Sequence, residues 1–263
     1  MSILLIDAGN TRIKWALARA DSFNLNDPWI KSGHFDHDGI EEQALNQTSH
    51  IANPIKKIIC SSVIGKEKTN RIKHALNKLY PTAIWHEMVG NSALTLIGTR
   101  YKEPEKLGSD RRAMIVGTAE LFPNRNTLII CTGTATTIDL LSSENEHLGG
   151  LILPGIALMS QSLHTGTAKL PDVFSTPTPL SSLSLGIDTQ SAIYNGILAS
   201  QLGAIELGKL MAHQQNIQLD MLLIDGGNAE ILMNAYQGSE QMIFASNLVL
   251  KGLLAWHHRG YLY

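Results

Sequence analysis

The chain has 263 residues with 21 basic against 23 acidic side chains and no basic run, which argues against nucleic acid as a partner, because backbone binding needs clustered Lys and Arg. Its two cysteines, Cys60 and Cys131, lie in strand-like segments and read as reduced thiols rather than a disulfide framework. Nothing approaches the ~20 apolar residues of a membrane span, and "ILLI" before Asp7 is too short for a signal-peptide core, so the expectation is a cytoplasmic protein with no membrane partner.

In chain order, "SILLID" is a buried strand by its continuous apolar run, and "RIKWALAR" is a second, alternating one. "IKKIICSSVI" (55–64) is a further strand candidate, and the helical stretch "KEKTNRIKHALNKLY" after it is stopped by Pro81. From Asp110, "DRRAMIVGTAELF" has the cap and length of a helix that Pro123 ends. The strand pattern restarts at Leu128 and runs through "HLGGLILPG". Helical patterns follow in "ALMSQSLHTGTAKL" and "LGIDTQSAIYNGILASQLGAIELGKLMAHQ", and "NLVLKGLLAWHH" reads as a closing helix. The pattern predicts two related α/β halves, 1–122 and 123–263, with no flexible linker: a tandem duplication rather than a short-period repeat.

Three stretches share one shape: "LLIDAGNTRIKW" (4–15), "LIICTGTATTIDLL" (128–141) and "LLIDGGNAEIL" (222–232). Each is a buried strand running into a small, polar, Gly-centred turn. A Gly there lets backbone approach a ligand closely and present N–H groups. Asn10, Thr11, Thr134, Thr136 and Thr137 add donors suited to phosphate oxygens, and an Asp at the strand end can hold Mg²⁺ directly or through water. Any single copy also reads as an ordinary turn joining two strands. A Walker-type near miss, "GAIELGKL" (203–210), lacks the Ser or Thr after its Lys and lies inside a helical pattern. No G-x-G-x-x-G follows a strand, which argues against a dinucleotide site.

The motifs "DAGNT", "GSDR" (108–111), "GTATTID" (133–139), "GGLILPG" (149–155), "GTAKLP" (166–171) and "GIDTQSAIYNG" (186–196) come in the order found in type III pantothenate kinases. The chain resembles that family, including its Bvg accessory factor branch, over nearly its whole length. The resemblance implies duplicated RNase H-like halves of the actin, Hsp70 and acetate-sugar kinase superfamily, with mixed sheets flanked by helices. It implies ATP-dependent phosphorylation of pantothenate to 4′-phosphopantothenate, the first step of coenzyme A biosynthesis, by a cytoplasmic homodimer. The alternatives are a non-catalytic nucleotide-binding regulator of the accessory-factor type and a superfamily kinase acting on another small alcohol.

The same resemblance assigns residues. Asp110 is the general base that takes the hydroxyl proton, although Ser109 or Asp110 also reads as a cap for the helix that follows. Tyr101, Gly108, Ser109, Asp110, Arg111 and Thr189 contact pantothenate. Thr189 reads equally as a helix cap. Asp7, Ala8, Gly9, Asn10, Thr11, Arg12, Ile13, Lys14 and Thr134 contact ATP, with Asp7 beside its Mg²⁺, and the turn from Asp225 to Asn228 lies on the adenosine side. Arg112 reads as solvated helix surface. None of the ten histidines has metal-ligand spacing, the adjacent His257 and His258 read as surface, and the four Trp read as packing. Cys131 stands where many family members carry an Asp that binds K⁺ or ammonium. A neutral thiol is a poor ligand for so hard a cation. That leaves three readings: a K⁺-independent kinase, a cation held by other oxygens, or a weakened enzyme.

Overall fold

A computed structural model describes residues 2–21, 23–26, 28–48, 54–167, 170–174 and 183–259. Ala168 and Lys169 of the "GTAKLP" motif lie outside the described residues. The chain divides into two compact units, residues 1–123 with 247–263, and residues 124–246.

The first unit is built on β1 (Ser2–Ala8), β2 (Ile13–Arg19), β3 (Trp29–Phe35), β4 (Ile55–Ser62) and β5 (Ile84–Met88), in the order β3-β2-β1-β4-β5. β1, β2 and β3 pair antiparallel, and β4 and β5 join in parallel. β1 reads as a continuous apolar run because both its faces are buried. Side chains alternate across the strand. Leu4, Ile6 and Ala8 therefore enter a core with Ile40 and Ala44 of α1 (Ile40–Thr48) and Ile72, Ala75 and Leu76 of α2 (Lys66–Leu79). In the same core Trp15 stacks on Phe35 at 5.6 Å and donates to Gln47 Oε1 at 3.0 Å. A two-residue strand, β6 (Gly98–Thr99), precedes α3 (Ser109–Leu121).

The second unit repeats this wiring. Its strands β7 (Thr127–Thr132), β8 (Ala135–Leu141), β9 (Glu146–Pro154), β10 (Met221–Asp225) and β11 (Met242–Phe244) run β9-β8-β7-β10-β11. Again the first three are antiparallel and the last two parallel. α4 (Ile156–Gly166), α5 (Thr189–Gln214) and α6 (Ala229–Ala235) cover a core that includes Leu128, Ile130, Ile138, Ile197, Ile205 and Leu232. The duplication read from the turns is thus a duplication of strand order.

Three features differ from the sequence reading. The third Gly-centred stretch is not a hairpin: β10 leads through Gly226, at φ +109°, into α6. By strand order it corresponds to the end of β4, not to the β1–β2 turn. Second, α7 (Leu248–His258) closes the chain but belongs to the first unit, against β1, β4 and α3. Glycine makes that packing possible. A Cβ on Gly252 would overlap the Ala113 carbonyl, and one on Gly117 would lie 2.9 Å from the Leu248 carbonyl oxygen.

Third, His257 and His258 are half-buried, and His257 Nδ1, His258 Nε2 and His86 Nε2 are enclosed without a hydrogen-bond partner. Burial, then Lys57, His258 and His86, pulls the His257 pKa down to about 4. Burial lowers His86 and His258 as well. Between the ordinary 6.5 and about 4, the folded protein therefore binds fewer protons at His257 than the unfolded chain does. Stability is unaffected above that window and falls as pH drops through it. Thermal melts between neutral pH and about pH 5 are expected to show a midpoint loss of about 4 °C, diminished in His257→Gln.

Candidate active site

In the first unit the candidate residues gather where β1 and β4 end, the edge at which open α/β sheets generally bind ligands. Asp7 is half-buried, one residue from the end of β1, and its register neighbours are Lys14 on β2 and Ser61 on β4. The turn that follows is closed by Gly9 N–H donating to the Arg12 carbonyl at 3.1 Å, leaving Asn10 and Thr11 exposed at its tip. Ala8 and Ile13 flank the turn with side chains in the core, so only their backbone is available to a ligand.

His37 braces this turn. Its Nε2 lies 3.1 Å from both the Gly9 and the Asn10 carbonyl oxygens, and since both are acceptors, Nε2 carries the proton. Sequence reasoning missed His37, because it is 27 and 28 residues from its partners and lies in no motif.

The second element of the site is the first turn of α3. Gly108 is the N-cap and no side chain caps the helix; the cap role considered for Ser109 and Asp110 falls to Gly108. Asp110 Oδ1 accepts from the Arg111 N–H at 2.7 Å. A Cβ on residue 108 would lie 2.7 Å from that same oxygen, so the carboxylate position depends on Gly there. The helix N-terminus also favours negative charge at this point. Arg111 is 4% exposed; its Nη1 donates to the Tyr101 hydroxyl at 2.6 Å, and its guanidinium stands 5.4 Å from the Tyr101 ring centroid.

Arg112 overturns its reading as solvated surface. It is fully buried, donating from Nε to the Ser92 carbonyl at 2.6 Å and from Nη2 to the Ile97 carbonyl. Burial lowers its pKa to about 10, which leaves it charged at neutral pH. Two carbonyls of the 92–97 segment, which leads to Tyr101, are thereby held to α3. Composition placed this Arg outside, but the second residue of a basic pair can turn inward wherever carbonyls converge to receive a guanidinium.

In the second unit Cys131 is half-buried, one residue from the end of β7, with Thr137 on β8 and Asp225 on β10 as register neighbours. Thr134 is exposed on the β7–β8 turn. Its carbonyl accepts from Gly155 N–H at 2.9 Å, and a side chain on Gly155 would overlap the Gly133 carbonyl. The turn from Asp225 to Asn228 folds onto the same strand end: Asn228 N–H donates to the Thr132 carbonyl at 3.2 Å, and a Cβ on Gly226 would overlap that carbonyl. The structure thus brings together the two Gly-centred turns of this unit and the start of α4. Thr189 stands apart, exposed as the first residue of α5. The cap of α5 is Asp188, whose carboxylate accepts from Ser191 N–H at 2.8 Å and is held below its ordinary pKa by that bond.

Lys209 of the Walker near miss lies within α5, bonded to Glu206, Glu240 and Tyr236. Among the described residues, no group of three His, Cys, Asp or Glu side chains could hold a metal, and no helix is long and apolar enough to cross a membrane. The free thiol of Cys60 is fully buried, and burial raises its pKa well above the ordinary value.

The sequence profile of type III pantothenate kinases matches residues 3–208. The chain belongs to that family. A type III pantothenate kinase of Janthinobacterium sp. (strain Marseille) is 35% identical over 256 residues, covering 95% of each chain. Among solved structures, a Campylobacter jejuni protein described as a Baf family transcriptional activator superposes with a TM-score of 0.61 at 20% identity, over 97% of this chain and 98% of that one. A Sinorhizobium meliloti protein described as a 2-dehydro-3-deoxygalactonokinase gives 0.60 at 11% identity, over 98% of each. At these identities the structural likenesses speak to fold alone. The fold of this type III pantothenate kinase family member is the duplicated RNase H-like one, with mixed sheets flanked by helices.

Proposed function

We propose that this chain transfers the γ-phosphoryl group of ATP to the terminal hydroxyl of pantothenate, giving 4′-phosphopantothenate and ADP in the first step of coenzyme A biosynthesis. Membership of the family carries this reading. The hydroxyl oxygen bonds to the γ-phosphorus, the bond to the β,γ-bridging oxygen breaks, and the hydroxyl proton passes to the Asp110 carboxylate. Phosphoryl transfer asks the protein mainly for positioning and charge neutralisation. The N-terminus of α3 and the buried Arg111 supply both, with Tyr101 and the backbone of Gly108 and Ser109 as further pantothenate contacts. The family resemblance assigns ATP contacts to the segment from Asp7 to Lys14 and to Thr134, and a pantothenate contact to Thr189.

Bound with ATP, Mg²⁺ would neutralise phosphate charge. The hard carboxylate oxygens of Asp7 suit it, since Mg²⁺ prefers a carboxylate or two together with substrate phosphates and water. Cys131 is different. Its soft, neutral sulfur does not suit K⁺ or ammonium, and a kinase that works without either is the reading proposed here. Leu185 and Ile187, 95% and 98% exposed and close to Thr189, support a homodimer in which a second copy covers them. The cytoplasm, where ATP is made, is the proposed location.

The test is formation of 4′-phosphopantothenate from ATP by the purified protein in sodium and in potassium buffer. Equal rates within about twofold are expected, along with an increased response to potassium in Cys131→Asp. A steep potassium requirement in the unaltered chain would sink the cation-free reading. ATP binding with no product from pantothenate would remove the kinase assignment itself.

A further inference from the structure

A chain of buried hydroxyls joins the end of β4 to the start of α3. Ser61 Oγ donates to Ser109 Oγ at 2.9 Å, the Ser62 N–H donates to the same oxygen at 3.1 Å, and Ser109 Oγ donates to the Ser62 carbonyl at 3.1 Å. A hydroxyl has one donor and two acceptor sites. All three are filled, so the Ser109 side chain is locked to β4. The chain continues from Ser62 Oγ to Thr69 Oγ1 at 2.6 Å, and from there to the Gly65 carbonyl at 2.9 Å, which ties in the first turn of α2. Ser61 is fully buried and Ser109 is 8% exposed.

This chain touches both ends of the proposed chemistry. Ser61 is the β4 register neighbour of Asp7, and Ser109 immediately precedes Asp110. The helix has no side-chain cap, and its N-cap Gly108 has no side chain with which to anchor it. The Ser109 side chain fastens the first turn of α3 to β4. We propose that Ser61 and Ser109 are positioning residues, whose shared hydrogen bond fixes the Asp110 carboxylate relative to the strand that carries Asp7. The inference rests on the kinase reading above for its catalytic consequence, but not for its geometric one. Removing the Ser109 hydroxyl leaves the Ser61 hydroxyl and the Ser62 N–H in a dry site without that partner. The first turn of α3 is then free to shift, and misplacement of a reacting group by about 1 Å can cost up to ~10²-fold in rate.

The experiment compares Ser61→Ala, Ser109→Ala and Ser109→Thr with the unaltered chain, measuring kcat, both KM values, the melting midpoint and the ¹³C signal of the Asp110 carboxyl, assigned by its loss in Asp110→Asn. Both Ala variants are expected to lose about tenfold in kcat with KM changed less than about twofold, and to move the Asp110 carboxyl signal. Ser109→Thr keeps the hydroxyl and should restore most of the rate. An Asp110 signal unmoved in both Ala variants overturns the proposal, whether or not activity falls, because any loss then reflects folded fraction alone. If the unaltered chain makes no phosphopantothenate, the kinase reading fails, and the carboxyl signal by itself decides the positioning role.

Discussion

Asp110→Asn is expected to lower pantothenate phosphorylation by ~10²–10⁴-fold, the usual contribution of a general base, while leaving the fold and both KM values nearly unchanged. The geometry makes this substitution a clean one. Asp110 Oδ1 accepts the Arg111 N–H at 2.7 Å, and the carbonyl oxygen of Asn can accept the same bond in the same place. The Arg111 bond to Tyr101 does not involve residue 110. What Asn cannot do is take a proton from a hydroxyl at neutral pH. A fall in kcat with KM preserved is the mark of an interaction made only in the transition state. Single-turnover assays with purified variants would read it, and an Asn variant within about threefold of the parent rate would remove Asp110 from the role of base.

Gly252→Ala should be strongly destabilising, even though Ala is the better helix former by roughly 1 kcal/mol. The added carbon has nowhere to go. It would overlap the Ala113 carbonyl, which belongs to the backbone of a neighbouring helix and cannot rotate away. Either α3 and α7 separate, exposing Leu250, Leu253 and Leu254, or the helices strain. Overpacking of this kind costs about 1–3 kcal/mol, and with a backbone obstacle the upper end is expected, a midpoint loss of ~6–12 °C. Gly196→Ala supplies the control. It lies inside α5 with nothing within 4 Å of the added carbon, so there the propensity gain stands alone and the midpoint should rise slightly. Calorimetry on the two variants checks the sign of each, and a Gly252→Ala protein as stable as the parent would show that α3 and α7 are not held at this spacing.

α3 carries both arguments, and it also shows how far a linear reading reaches. Its span was legible from "GSDR" to Pro123 because the start signal, the apolar residues and the stop all lie within one stretch of chain. Strands β1, β2, β4, β7 and β10 were legible for a similar reason: buried strands announce themselves as short apolar runs. β3, with the pattern "WIKSGHF", and β5, "IWHEM", gave no such signal, since both are edge strands of the first sheet with exposed positions. The candidate residues were found through the order of motifs. How those side chains are held was not. Arg112 read as surface from its charge, His37 lay in no motif, and the Ser61–Ser109 bond joins residues 48 positions apart.

By itself the sequence determined the first two strand-turn pairs, the helices α2, α3, α5 and α7 and the doubling of the chain, because these follow from hydrophobic period and turn chemistry within a few residues. It did not reveal α1 and α6. Only the tertiary structure decided that α7 returns to the first unit, that the third Gly-centred turn matches the end of β4, and that Arg112 and His37 brace the candidate site. Each of those depends on which backbone carbonyls and glycines meet across long stretches of chain, and a carbonyl that will accept a buried guanidinium leaves no mark on the residues beside it.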